Sequence, residues 1–144
     1  MSQQAMQLTS SGINAPDAVA LIKTIYDEFT KGDVERVLSH FTDDVSWETP
    51  GFPRIPYAGR FFGRGEVAKF FDGLNRTAVF DCIEPKEYIA DENRVVVFGF
   101  YSGHGRITQK PFATKWAMVF TVRNGKVAGF HEYFDTQNLG SAFN

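Results

Sequence analysis

The sequence predicts an α+β domain, one curved and mostly antiparallel sheet with helices on its concave side. Three observations predict it. Before about residue 75, apolar residues recur at helical spacing, as in Val19, Ile22, Ile25, Tyr26 and Phe29, and again in Val67, Phe70, Phe71 and Leu74. From Ala78 onward the chain reads as long strands separated by short turns, and the stretch Arg94 to Ile107 carries Gly99, Gly103 and Gly105. Glycines inside a strand mark bends or close backbone approach, as strong curvature needs. Asn124-Gly125 then supplies a two-residue hairpin turn, because a type I′ turn needs positive φ at both central positions.

The elements follow in order. Pro16-Asp17 opens the first helix and Lys31-Gly32 stops it. Asp33 is the expected N-cap of a shorter helix to about His40, with Val34, Val37, Leu38 and Phe41 inward. Asp43-Asp44 reads as a turn and Val45 to Thr49 as a short strand. The prolines at 50, 53 and 56 make an irregular loop, apolar for its position, either packed on the core or forming a pocket mouth. Gly63-Arg64-Gly65 leads into a third helix, Glu66 to about Leu74. Ala78 to Ala90 is a strand broken near Pro85, so an edge or bulged strand. Asp91 to Asn93 and Thr108 to Lys110 are turns, and Asn138 to Phe143 is a short tail.

With Arg123 facing Lys126, an unbroken hairpin pairs Met118 with His131, Ala117 with Glu132 and Trp116 with Tyr133. One face then gathers Trp116, Met118, Phe120, Val122, Val127, His131 and Tyr133, bulky enough to pack on a second subunit. The other gathers Lys115, Ala117, Val119, Thr121, Ala128, Phe130, Glu132 and Phe134. Small residues at its centre leave room for a ligand beside the lone carboxyl of Glu132.

Composition bounds the function. At 144 residues the chain suits one domain, with residues 1–14 a polar, poorly ordered segment and 15–144 the folded unit. A net charge of −2 gives no general affinity for nucleic acid. No run of about 18 apolar residues suggests a membrane span. The N-terminus has no signal-peptide core, and the single cysteine, Cys82, excludes an internal disulfide, so a cytoplasmic location is expected. Fifteen phenylalanines suit a core and a pocket for an apolar ligand alike. His40, His104 and His131 lack metal-ligand spacing, so no metal and no cofactor are expected. Gly63-Arg-Gly lacks the spacing of a phosphate loop.

Four stretches carry a family resemblance: Ile25–Phe41, Phe41–Pro50 (Phe-Thr-Asp-Asp-Val-Ser-Trp-Glu-Thr-Pro), Tyr57–Leu74 and Trp116–Asp135. They resemble the nuclear transport factor 2-like superfamily, in the branch of SnoaL-like polyketide cyclases, ketosteroid isomerases and limonene epoxide hydrolases. The resemblance implies a cone closed by the N-terminal helices, and a homodimer paired through the convex sheet face. It identifies the fold better than the reaction, because one fold hosts many sites. The isomerases' general base falls at Thr49, their oxyanion acid at Ala117 and their helix tyrosine near Ile25, so their machinery is not kept. The hydrolases' acid–arginine–acid set with its Tyr and Asn falls at Tyr101, Gly99, Glu132, Trp47 and Thr49, where only Glu132 matches in kind. The cyclases' acid/base Asp falls at Glu132 after Gly125-Lys126-Val127, and their His on the long strand falls at Tyr101.

Glu132 is therefore the candidate acid/base and Tyr101 the candidate hydrogen-bond donor, with Trp47, Thr49, Ala117, Phe130 and Phe134 as pocket wall. A carboxyl among apolar neighbours should have a raised pKa, unless Lys115, diagonal to it on the same predicted face, holds it ionised. His131 is expected opposite Glu132, so the two form no dyad, and Asp135 reads as a helix cap or turn residue. The expected function is a SnoaL-like enzyme moving a proton next to a carbonyl of a hydrophobic oxygenated small molecule, by cyclisation or isomerisation. The competing expectations are a non-catalytic ligand-binding or scaffold protein of the same fold, or a protein-transport factor.

Overall fold

The computed structural model describes residues 15–144. The expectation for residues 1–14 lies outside the described residues. Helices α1 (Ala15–Thr30) and α2 (Val34–Ser39) come first, then strands β1 (Phe41–Thr49) and β2 (Gly59–Phe62), helix α3 (Gly63–Thr77), strands β3 (Ala78–Ala90), β4 (Arg94–Gly105), β5 (Pro111–Arg123) and β6 (Lys126–Phe134), and helix α4 (Thr136–Ser141). Side-chain caps set two of the starts: Asp33 accepts from the Arg36 amide, and Asp135 accepts from the Asn138 amide.

The strands form one sheet in the order β2-β1-β6-β5-β4-β3. Every neighbouring pair is antiparallel except β1 with β6, which is parallel and joins the N-terminal part to the final hairpin. The edge strand β3 is bulged on both sides of Cys82, the second time just after Pro85, which has no amide to donate to a ladder. Close approach bends the sheet at the glycines of β4. A Cβ at Gly99 would run into the Trp116 indole and the Glu84 carbonyl, and one at Gly103 into the Val79 carbonyl. Helices α1 and α3 cover the concave face and bury Ile22, Ile25, Tyr26, Val67, Phe70, Phe71 and Leu74 against it.

Several expectations are corrected. Asp43-Asp44 continues β1 instead of turning, Gly59–Phe62 is a strand that propensity did not mark, and the tail folds as α4. The largest correction concerns the hairpin. The Asn124-Gly125 turn does pair Arg123 with Lys126 and Val122 with Val127, but Thr121 then pairs with Gly129. Ala128 is an extra, bulged residue, and a one-residue shift moves every later side chain of β6 to the other face. Met118 accordingly faces Glu132, Ala117 faces Tyr133 and Trp116 faces Phe134.

The faces change with the register. Trp116, Met118 and Phe120 turn inward with Phe130 and Glu132, so the convex face is not the one expected. Its apolar row is Val96, Phe98, Ala117, Val119, His131 and Tyr133, with Phe98 40% and Tyr133 52% exposed. Met118 is thus not a surface position.

Candidate active site

The inward face of the hairpin and the helices above it enclose a cavity of about 80 Å³. Its wall is almost wholly apolar: Ile25, Phe29, Trp47, Phe70, Phe71 and Phe130 among others. The polar groups that reach it are the Glu132 carboxyl and the side chains of Tyr26, Tyr57 and Tyr101, together with the indole of Trp47. A second, open basin of about 640 Å³ shares Phe29, Phe71, Leu74, Phe80 and Ile83 with this cavity. It lies where the ends of α1 and α3 meet the start of β3.

Glu132 is 5% exposed. Burial pushes its carboxyl up to about 7 from an ordinary 4.5, against the Tyr101 and Thr49 hydroxyls, which favour the ionised form. Tyr101 donates to Glu132 Oε2 at 2.9 Å. The two residues sit two strands apart, and the contact depends on what lies between them. The Trp116 indole lies against Gly99, where a Cβ would collide with it, and Tyr101 packs beside it with ring centroids 5.9 Å apart. The Tyr101 hydroxyl can then span β5. Thr49 approaches the carboxyl from β1, close enough to favour its charge, yet its Oγ1 lacks a hydrogen bond of full geometry. Among the described residues the buried indole nitrogens of Trp47 and Trp116 have no partner either. Burial raises the pKa of Tyr101, Tyr26 and Tyr57, and the nearby Glu132 charge adds to each shift.

The predicted site residues divide accordingly. Glu132, Tyr101, Trp47 and Phe130 come together at the cavity, and Trp47 stacks on Phe130 with centroids 3.8 Å apart. Thr49 lies behind Glu132, 1% exposed. Phe134 points inward but sits beside Tyr101, 6.4 Å away, beyond the cavity wall. Ala117 is not in the pocket: past the bulge it belongs to the convex face, opposite Phe98 and Tyr133. Lys115 is exposed, and its charge is not among the influences on Glu132, so desolvation wins there. His131 does lie opposite Glu132, 3.8 Å from Glu48 Oε1.

Sequence reasoning missed Tyr26, Tyr57 and Met118 as site residues. Tyr26 stood in an amphipathic helix and read as core, and Tyr57 stood in the proline-rich loop. Burial of Ile55, Tyr57 and Ala58 shows that this loop both packs on the core and lines the cavity. Among the described residues no cluster of His, Cys, Asp and Glu has a metal-binding arrangement, and no helix is long and apolar enough to cross a membrane.

Comparison with known proteins agrees with this architecture. The SnoaL-like domain model matches residues 22–130. The chain is 30% identical to an NTF2-like protein from Burkholderia xenovorans LB400, with a TM-score of 0.84 over 92% of this chain and 100% of that one. TerC, crystallised with polyporic acid, is 23% identical at a TM-score of 0.79, over 88% of this chain and 98% of its own. A protein provisionally named a polyketide cyclase, from Xanthomonas campestris pv. campestris, is 19% identical at a TM-score of 0.76, over 92% and 100%. No curated protein matches the chain. A curved sheet closed by helices, an inward carboxyl on the last strand and a family match over most of its length make this chain a member of the SnoaL-like family of NTF2-like proteins.

Proposed function

We propose that the protein is a small-molecule enzyme that moves a proton next to a carbonyl in a hydrophobic oxygenated substrate, with Glu132 as acid/base. The observation that carries this is a single enclosed carboxyl with a pKa near 7 in an apolar cavity. Such a group exchanges protons at neutral pH, and desolvation is a common means of tuning one for that task. Ionised Glu132 would take the proton from the carbon beside the carbonyl, and the C–H electron pair would pass into the enolate. For isomerisation the proton returns from Glu132 to another carbon. For cyclisation the enolate carbon bonds to a second carbonyl carbon, and the alkoxide so formed takes the proton.

Tyr101 has a different role in this scheme from the one expected of it. A hydroxyl donates one proton, and that of Tyr101 is engaged by Glu132. Tyr101 orients the carboxylate and moderates its basicity. Trp47, Phe130, Phe70 and Phe71 form the apolar wall. Neither a metal nor a cofactor is required by these steps. About 80 Å³ is small beside the several hundred of most ligand pockets, so a substrate larger than one ring must displace side chains towards the basin at the mouth. The related TerC was crystallised with polyporic acid, which agrees with an apolar, oxygen-bearing ligand class.

The small cavity and lone carboxyl favour one second reading, a binding protein of the same fold. Exchange into D2O separates the two. Wild type should speed loss of the α-proton of a small aryl ketone such as acetophenone, followed by proton NMR, and Glu132→Gln should not. Saturable binding without accelerated exchange in wild type supports the binding protein and removes the catalytic reading.

The same proposal includes a homodimer in the cytoplasm. The apolar row from Val96 to Tyr133, flanked by Glu48, Arg60 and Arg94, would be covered by a second copy. The unit would comprise the single folded domain of residues 15–144.

A further inference from the structure

We infer that Tyr57 is the residue that binds the substrate's carbonyl oxygen, a role that rests on the acid/base reading of Glu132. The hydroxyls of Tyr26, Tyr57 and Tyr101 and the indole of Trp47 belong to residues lining the cavity, and the Trp47 nitrogen, unpaired among the described residues, is wholly buried and closed to a ligand. Tyr101 donates to Glu132 Oε2 at 2.9 Å. Tyr26 donates to the Met118 thioether sulfur at 2.9 Å. The Tyr57 hydroxyl has no hydrogen-bond partner among the described residues. Unlike the Trp47 and Trp116 nitrogens, this hydroxyl is not sealed off, so it can donate to an acceptor that a ligand brings.

The surroundings hold Tyr57 ready for that role. The residue is 6% exposed. Its loop is tied by the Ile55 amide to the Gly51 carbonyl at 2.9 Å and by the Ala58 amide to the Ile55 carbonyl at 3.1 Å. Its ring is wedged edge-on between Phe70, at 5.9 Å, and Phe143, at 5.7 Å. The loop also packs against α3 at Gly73, where even a Cβ would sit in ordinary contact, 3.6 Å from Tyr57 Cβ. A ring gripped on two edges loses little freedom when its hydroxyl finds a partner, the condition under which a fixed donor is most effective.

Tyr57 is also near enough to Glu132 for the carboxylate charge to act on it, while making no hydrogen bond to it. Both line the same cavity, and in the inferred pose the ligand's carbonyl oxygen lies on the Tyr57 hydroxyl and its α-carbon towards Glu132. As Glu132 takes the α-proton, negative charge develops on that oxygen, and the Tyr57 hydrogen bond strengthens. Tyr57 keeps its own proton throughout, in line with burial holding its pKa well above the ordinary value. The ligand class follows: compounds with a carbonyl attached directly to a flat apolar group, with an enolisable C–H beside it.

Acetophenone labelled with 13C at the carbonyl tests this by infrared spectroscopy. Bound to wild type, its C=O band should shift down relative to the band in hexane. Tyr57→Phe should lose that shift, and Tyr101→Phe should keep it. The α-proton exchange rate should fall about 10²-fold in Tyr57→Phe, as for loss of one oxyanion donor, with Kd changed less than tenfold. A band that keeps its shift in Tyr57→Phe overturns the inference and leaves the acid/base reading standing. Absence of saturable binding to wild type at millimolar ketone overturns both. Should Tyr57→Phe fail to fold, the 13Cζ resonance of Tyr57 in labelled wild type decides. It should move on adding ketone, and a resonance that stays in place while ketone binds overturns the inference.

Discussion

Replacing Glu132 with Gln should remove a pH dependence of stability whose size follows from the burial of the carboxyl. Its folded pKa is about 7, against 4.5 for the ordinary group. Between those values the folded state binds more protons than the unfolded one, so stability falls as pH rises. The contribution is fully present below about pH 4.5 and is lost as pH rises through about 7. One pKa unit corresponds to about 1.4 kcal/mol, and the titration between pH 5 and pH 8 then removes about 2.5 kcal/mol from wild type. For a chain of this size that is a fall of about 5–10 °C in Tm. Glu132→Gln keeps the shape and an acceptor for Tyr101, and it should lack this term. Urea unfolding of both proteins at pH 5 and pH 8 measures it, and comparing them cancels the other titrating groups. Equal pH dependence in the two proteins, or a wild type that gains stability relative to Glu132→Gln as pH rises, would refute the reasoning.

Three further outcomes are expected. Tyr101→Phe removes a hydrogen bond that favours the carboxylate, so the Glu132 pKa should rise above about 7 in a 13C NMR titration of labelled glutamate, and a fall would contradict the role assigned to Tyr101. Gly103→Ala should cost about 3 kcal/mol or more by chemical denaturation, because its Cβ meets the Val79 carbonyl on the neighbouring strand, while Gly65→Ala, with open space around it, should change stability by about 1 kcal/mol at most. Phe98→Lys should turn a dimer into monomers by light scattering without unfolding it, whereas Met118→Lys should disrupt the fold; a wild type already monomeric at micromolar concentration removes the dimer proposal.

Local chemistry makes much of this molecule legible in its sequence. Helices α1, α2 and α3 announce themselves by apolar periodicity, and Asp33 marks a start because its carboxyl caps a free amide. Asn124-Gly125 fixes the turn because both residues take positive φ, 53° and 75°. The edge position of β3 follows from Pro85, and the placement of Glu132 and Tyr101 follows from the family resemblance carried by Gly125-Lys126-Val127 and the long strand.

Tertiary structure alone decided the rest. Alternation from the turn predicts the wrong partners beyond Thr121, because a bulge at Ala128 depends on how β6 meets β1 as well as β5. Phe130 and Glu132 lie inside as expected, with Phe130 stacked on Trp47, but the shift brings Trp116, Met118 and Phe120 in beside them and sends Ala117 outward with Tyr133. The contest between desolvation and Lys115 at Glu132 was likewise open until the faces were known. Tyr57 entered the site from a loop with no periodicity to read, because its ring packs on Phe70 and Phe143, residues remote in sequence. Periodicity reports which side of its own element a residue occupies; which elements meet, and where a strand skips a residue to meet them, is settled by packing across the whole core.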